Sequence, residues 1–164
     1  MNTATNSRGN SYLTFKIGEE EYGAHVDEVL NILELQEITK VPKSPDYMKG
    51  VINLRGMVLP VIDTRMKFNM SPTEFTDNTC IVVMDLKANN EMIHIGALVD
   101  SVIAVREIDD AMIESSPSIG ETYKSEFISG VANINDHFIM ILDLIKLFTG
   151  KELNNLKKQQ NINN

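Results

Sequence analysis

Gly50-Val51-Ile52-Asn53-Leu54-Arg55-Gly56-Met57-Val58-Leu59-Pro60-Val61-Ile62-Asp63 reads as two apolar runs around an Arg-Gly pair. The pattern returns as Gly130-Val131-Ala132-Asn133-Ile134-Asn135-Asp136-His137-Phe138-Ile139-Met140-Ile141-Leu142-Asp143. The offset is 80 throughout, without a gap, and it extends to Phe68 and Phe148. Apolar, β-branched runs separated by a two-residue turn are the signature of a β-hairpin, and Gly56 supplies freedom in φ at the turn. A second echo lies upstream of each hairpin, in Val26-Asp27-Glu28-Val29 and Val99-Asp100-Ser101-Val102. Each half therefore runs strand, strand, Val-Asp-x-Val link, strand, connector, hairpin and Asp-led turn. A repeat of this order implies two related five-stranded units with a groove at their junction.

Outside the hairpins, strands are expected over 12–17, 22–26 and 29–34 in the first half, and over 80–86, 92–98 and 102–106 in the second. A turn at Asn89-Asn90 separates the first two strands of the second half. Ser44, Pro45 and Gly50 carry the capping signals of a very short helix. Pro60 lacks a donor, so its strand should lie at an edge or be bulged there. Asp63 and Asp143 should cap the short turns that follow them. Residues 69–79 read as a loop between halves and 107–127 as mostly connector. No helical pattern of proper length sits between strands, which excludes βαβ units. The expected class is all-β: two five-stranded SH3-like barrel subdomains, the first mainly 12–70 and the second mainly 80–148, with exchange of terminal elements left open. The body spans 12–149. Residues 1–11 form a disordered arm and 150–164 a flexible or short helical tail.

The 164 residues include 43% hydrophobic and 23% charged side chains, as in ordinary globular domains. Lys plus Arg number 15 against 23 Asp plus Glu, a net charge of −8. Residues 12–150 alone carry −11, counted from the same sequence. A body this acidic repels a phosphate backbone, so nucleic acid is not an expected partner. The single cysteine, Cys80, rules out an internal disulfide and multi-cysteine metal sites. It lies in an apolar run and is expected to be buried as a small hydrophobe. The start of the chain has no apolar stretch, and no window approaches about 18 apolar residues. A cytoplasmic location without direct membrane insertion is expected.

Chemistry-bearing motifs are absent. His25, His94 and His137 are scattered, and no nucleophile elbow, phosphate-cradling loop or His-Glu-x-x-His helix occurs. Asp109-Asp110 and Glu19-Glu20-Glu21 read as solvated turns. No cofactor, metal or catalytic residue is expected, and the chain is not expected to be an enzyme. Arg55 stands apart: at a tight hairpin of an acidic body it presents five donors from a rigid frame, suited to a partner carboxylate. Its counterpart is Asn135, so the repeated fold does not demand the charge.

The stretch from Gly50 to Phe68 resembles the signature of the CheW-type coupling proteins of bacterial chemotaxis. Glu20-Glu21-Tyr22-Gly23 and Gly96-Ala97-Leu98-Val99-Asp100-Ser101-Val102 are similar to the same family, and the likeness runs from about Tyr12 to Phe148. The resemblance implies two SH3-like subdomains around a hydrophobic centre. It also implies a non-enzymatic adaptor between the cytoplasmic tips of chemoreceptors and the regulatory domain of the histidine kinase CheA. Such a protein is a monomer alone and joins arrays with its partners. Arg55 matches the arginine of the family's Asn-Leu-Arg-Gly motif, implicated in receptor coupling. Asn53 and Gly56 belong to that motif, and Val29 and Gly50 match positions where changes in relatives disturb receptor or kinase binding. Asn31 stands where many relatives carry Glu, and Gly23-Ala24-His25-Val26 departs from the commoner Gly-Ile-Asp-Ile type. Two other readings remain at this point: an adaptor for another receptor–kinase pathway, and a small barrel enzyme or ligand-binding protein with its site in the inter-subdomain groove.

Overall fold

The computed structural model describes residues 10–88, 90–114 and 126–161. The expectations for residues 1–9, Asn89, 115–125 and 162–164 lie outside the described residues. Eleven strands are seen among the described residues. The first half holds β1 (Ser11–Ile17), β2 (Glu20–His25), β3 (Val29–Glu34), β4 (Met48–Leu54) and β5 (Met57–Asp63), followed by a single-turn helix α1 (Thr64–Lys67). The second half holds β6 (Cys80–Ala88), β7 (Glu91–Val99), β8 (Ser101–Glu107), the two-residue β9 (Ile113–Glu114), β10 (Ile128–Ile134) and β11 (His137–Leu142). A closing helix, α2, spans Gly150–Asn161.

The two sheets cut across the two sequence halves. One has the order β8-β1-β2-β11-β10-β9, the other β3-β6-β7-β5-β4. Shifting one half onto the other converts the first order into the second, so each sheet takes two strands from one half and the remainder from the other. Exchange is therefore not confined to terminal elements. The Val-Asp-x-Val links are where the chain crosses. Val26–Glu28 is a 3-10 turn leading from β2 into the other sheet. Asp100, its counterpart, accepts the Gly18 amide at 2.6 Å and meets Arg65 Nη2 at 3.0 Å, fixing the second crossing.

Register repeats as closely as order does. β4 and β5 shift register between Met48 and Gly50, β10 and β11 between Ile128 and Gly130. Asp63 N donates to the Tyr47 carbonyl and Asp143 N to the Phe127 carbonyl, each at 2.7 Å. The bridge of Thr39 with Val51 mirrors the β9 pairing of Glu114 with Val131. β5 joins β7, and β11 joins β2, in parallel. These parallel pairs link strands of different halves, so no βαβ crossover is required.

Three apolar clusters follow from strand alternation. Ile52, Leu59, Val61, Ile81, Val83 and Leu98 fill one curled sheet. Tyr12, Ile108, Ala132, Ile139 and Ile141 fill the other, and Leu59/Ile139 and Val61/Ile141 are repeat partners. Between the sheets lies a larger cluster that includes Phe15, Tyr22, Met84, Ile95, Leu142 and Leu156. The junction is thus packed with side chains in its middle, and only its margins are open.

Five local expectations are corrected. Residues 44–50 form no helix: Met48 N bonds the Pro45 carbonyl at 3.0 Å as a turn and then enters β4, because its side chain is buried and Gly50 pairs with Val61. Ser44 Oγ donates to the Val41 carbonyl at 2.8 Å instead of capping. Pro60 lies in an interior strand, but pairing with β7 begins one residue later, at Val61. Asp63 Oδ1 accepts from Arg65 N at 3.1 Å as a cap, whereas Asp143 makes no side-chain cap bond and stands 3.8 Å from Lys146. Ser11, assigned to the arm, begins β1 opposite Glu107, and Cys80 is half-buried with Sγ 3.3 Å from the Asn78 carbonyl.

α2 is a full helix with a capping box. Thr149 N donates to Glu152 Oε1 at 2.9 Å, and Glu152 N to Thr149 Oγ1 at 3.1 Å. Glu152 also meets Lys67 Nζ at 3.0 Å, and that ammonium lies 4.3 Å from the Tyr47 ring centre and 5.0 Å from that of Phe148. Leu153 and Leu156 bring the helix onto β5 and β7, where they join the central cluster.

Candidate protein-binding site

The β4–β5 hairpin turns through Arg55 at φ +54° and Gly56 at φ +87°, the β10–β11 hairpin through Asn135 at +53° and Asp136 at +67°. Both central residues of a type I′ turn need positive φ, which suits Asn, Asp and Gly. An arginine there is strained by about 1–2 kcal/mol relative to glycine. The turn is held by Asn53, whose Oδ1 accepts the Gly56 amide at 2.8 Å, as Asn133 Oδ1 accepts the Asp136 amide at 3.0 Å. Gly56 has open space around a virtual Cβ, so its requirement is conformational. Arg55 itself is exposed, and no ion pair of its guanidinium is seen among the described residues.

The other singled-out residues lie elsewhere on the same sheet. Gly50 lies in β4, where a Cβ would stand 2.2 Å from the Thr39 carbonyl oxygen and 2.8 Å from an Ile38 methyl. Val29 and Asn31 belong to β3, at the opposite edge from β4. Val29 packs against the central cluster, and Asn31 Oδ1 accepts the Ile32 amide at 2.9 Å. The fold therefore gives Gly50, Asn53 and Gly56 clear structural duties and leaves Arg55 as a free group.

Sequence reasoning missed the most distinctive surface. β3 is an edge strand of its sheet, and so is β8. β3 exposes Leu30 and Ile32, β8 exposes Ile103 and Val105, each between 42% and 62% accessible. The two pairs are related by the offset of the Val-Asp-x-Val echo. Two equivalent apolar edges thus face outward from opposite sheets. Large apolar side chains on unpaired edges mark contact surfaces. The alternation in Val29-Leu30-Asn31-Ile32-Leu33 gives no signal for this, since both faces of the strand are apolar.

The histidines pair with carboxylates at three separate places. His25 Nδ1 lies 3.6 Å from Asp27 Oδ2, His94 Nε2 2.7 Å from Asp85 Oδ1, and His137 Nε2 2.5 Å from Glu21 Oε1. Among the described residues no group of three His, Cys, Asp or Glu side chains could hold a metal ion. Glu21 is the most buried acid of the three pairs, at 5% exposure, and also receives Arg106 Nε at 2.9 Å. Burial pushes its carboxyl up, but hydrogen bonds from Thr14, Arg106 and His137 and the Arg106 charge outweigh it, so the group is held below its ordinary value. Its stabilisation is present above the unfolded-chain pKa of about 4.3 and is lost as pH falls through the lower folded value. Glu21→Gln is expected to cost roughly 2 kcal/mol at neutral pH. In urea unfolding between neutral and acid pH the gap between wild type and variant should narrow as pH falls; a constant gap would show that the carboxylate charge is not what Arg106 and His137 hold.

The CheW-like domain model matches residues 11–152. This chain belongs to the CheW-like domain family. The chemotaxis protein CheW of Klebsiella aerogenes is 30% identical over 88% of this chain and 85% of its own length. CheW of Bacillus subtilis is 32% identical over 86% of this chain and 88% of its own. Among solved structures, the scaffolding protein TtCheW from Thermoanaerobacter tengcongensis superposes with a TM-score of 0.76 at 31% identity, over 87% of this chain and 96% of that one. The CheW-like assignment agrees with the two curled sheets described above. α2 extends past the last matched residue, Glu152.

Proposed function

We propose that this CheW-like chain is a non-enzymatic chemotaxis adaptor, acting in the cytoplasm, that couples the cytoplasmic tips of chemoreceptors to the regulatory domain of the histidine kinase CheA. The observation that carries the reading is the pair of equivalent apolar edges, Leu30/Ile32 on β3 and Ile103/Val105 on β8. A molecule with two like edges can engage two neighbours at once, as a link in an array must. Interfaces of this kind are apolar at the centre and polar at the rim. β3 and β8 fit that description, with Asn31 and Glu34 beside one apolar pair and Arg106 and Glu107 beside the other. The curled sheets would pack against the kinase domain of like fold through these edges.

The receptor tip is a helical hairpin, and one margin of the junction suits a helix. α2 covers the strip of β5 that faces the central cluster. The equivalent strip of β11 carries Phe138, Met140 and Leu142, and Phe138 is 54% exposed. The segment that follows α1 is tied to the end of β5, with Thr73 N and Oγ1 donating to Asp63 at 3.0 and 2.7 Å. Arg55 offers the polar anchor for a receptor carboxylate on the other sheet.

The test is a pair of pull-downs, one with a receptor cytoplasmic fragment and one with the kinase regulatory domain. Wild type should be captured by both. Leu30→Ser with Ile32→Ser should lose the kinase while remaining folded, and Phe138→Ser should weaken the receptor alone. Capture by neither bait would remove the adaptor reading. No helix among the described residues is long and apolar enough to cross a membrane.

A further inference from the structure

The connection between β3 and β4 forms one wall of a cleft of about 920 Å³, and Phe75 lines it as well. Its apolar lining includes Leu35, Ile38 and Phe75, and its cations are Lys40, Lys43 and Lys49. Glu37 and Asp46 also line it, so the site is net positive on a body that is strongly acidic. Lys40 and Lys43 are exposed and make no ion pair among the described residues. Lys49 Nζ lies 5.3 Å from the Phe75 ring centre, which holds that ring beside a cation. A smaller cleft, about 270 Å³, shares residues 41–45 of the same connection and adds Lys158 from α2.

We propose that this cleft docks an acidic amphipathic peptide segment of a partner protein. Large aliphatic or aromatic anchors would occupy the floor between Leu35, Ile38 and Phe75, and flanking Asp or Glu side chains would face the three lysines. Charge complementarity selects the sign: three lysines surround an apolar floor, on a chain whose net charge is −8. A plain polyanion would satisfy the lysines and leave the floor empty. The site is separate from the adaptor surfaces, since it uses none of Arg55, Leu30, Ile32, Ile103, Val105 or Phe138.

The probe is a short fluorescein-labelled peptide of alternating Glu and Leu or Phe residues, read by fluorescence anisotropy against the full chain. Controls are the same peptide with Gln for Glu and a labelled oligothymidine strand. The acidic probe should bind, and binding should weaken as salt is raised. The triple variant Lys40→Gln, Lys43→Gln, Lys49→Gln and the single variant Phe75→Ser should each lower affinity about tenfold or more. All four side chains lie at the surface, and a thermal melt of each variant checks that the fold is kept. The proposal is overturned if the acidic probe fails to bind, if the Gln peptide or the oligothymidine binds as tightly, or if folded triple variant or Phe75→Ser retains wild-type affinity. The pull-downs with receptor and kinase fragments should be unchanged in these variants, so failure here does not touch the adaptor reading.

Discussion

Gly50→Val should destabilise the fold by on the order of 3 kcal/mol, lowering the melting temperature by roughly 6–12 °C. Two costs combine. A Cβ at Gly50 would lie 2.2 Å from the Thr39 carbonyl oxygen, and the backbone there stands at φ +153°, which L side chains rarely adopt. The carbonyl cannot retreat cheaply, because Thr39 exchanges two hydrogen bonds of 2.8 Å with Val51. Gly130→Val is expected to cost less. There the nearest atom is the Ile113 Cγ2 methyl at 2.6 Å, a side-chain and not a backbone atom, the Glu114 oxygen is farther off at 3.1 Å, and no positive φ adds strain. Chemical denaturation of both variants checks the pair. Equal and small losses would mean that the strand bridging each hairpin is not fixed as described. Binding defects at Gly50 should also follow stability: in a variant with an intact fold, partner capture should be intact as well.

The second large effect concerns Arg55. Arg55→Glu should abolish capture by the receptor fragment, with at least a tenfold loss of affinity, while kinase capture and the melting temperature stay near wild type. Arg55→Asn separates use from folding. Asn is the residue that the other hairpin carries at the same turn position, Asn135, and it tolerates positive φ. That variant should gain up to about 1 kcal/mol of stability and still lose receptor capture. A gain in stability with a loss of function is the mark of a strained residue kept for contact. Retained capture in both variants would remove Arg55 from the binding surface.

Much of the fold was legible because its strongest signals are local. The hairpins announce themselves through a turn pair between apolar runs, and an ungapped offset of 80 ties them together. The exchange between sheets was not legible. β1 and β2 present the same alternating pattern whether they pair with β3–β5 or with β8–β11, and the choice is made only by side-chain packing across the junction. Residues 44–50 show the opposite failure: helix-capping residues are present, but burial of Met48 and ladder pairing outweigh them. α2 was underestimated because Asn and Lys dilute its apolar stripe, although Thr149-Gly150-Lys151-Glu152 carries a capping-box pattern that predicts a helix start. At the candidate site, Arg55 could be found because its counterpart in the repeat is the neutral Asn135, so the shared fold does not demand the charge. The apolar edges could not, since exposure of Leu30 or Val105 is a property of sheet order and not of the strand that carries it.

The central claim of the proposed function is that one molecule joins two different proteins. Small-angle scattering of this chain mixed with a receptor cytoplasmic fragment and the kinase tests it directly. The account predicts a species heavier than any binary pair, which disappears when this chain is omitted. A three-component mixture that scatters only as binary complexes and free components would contradict it.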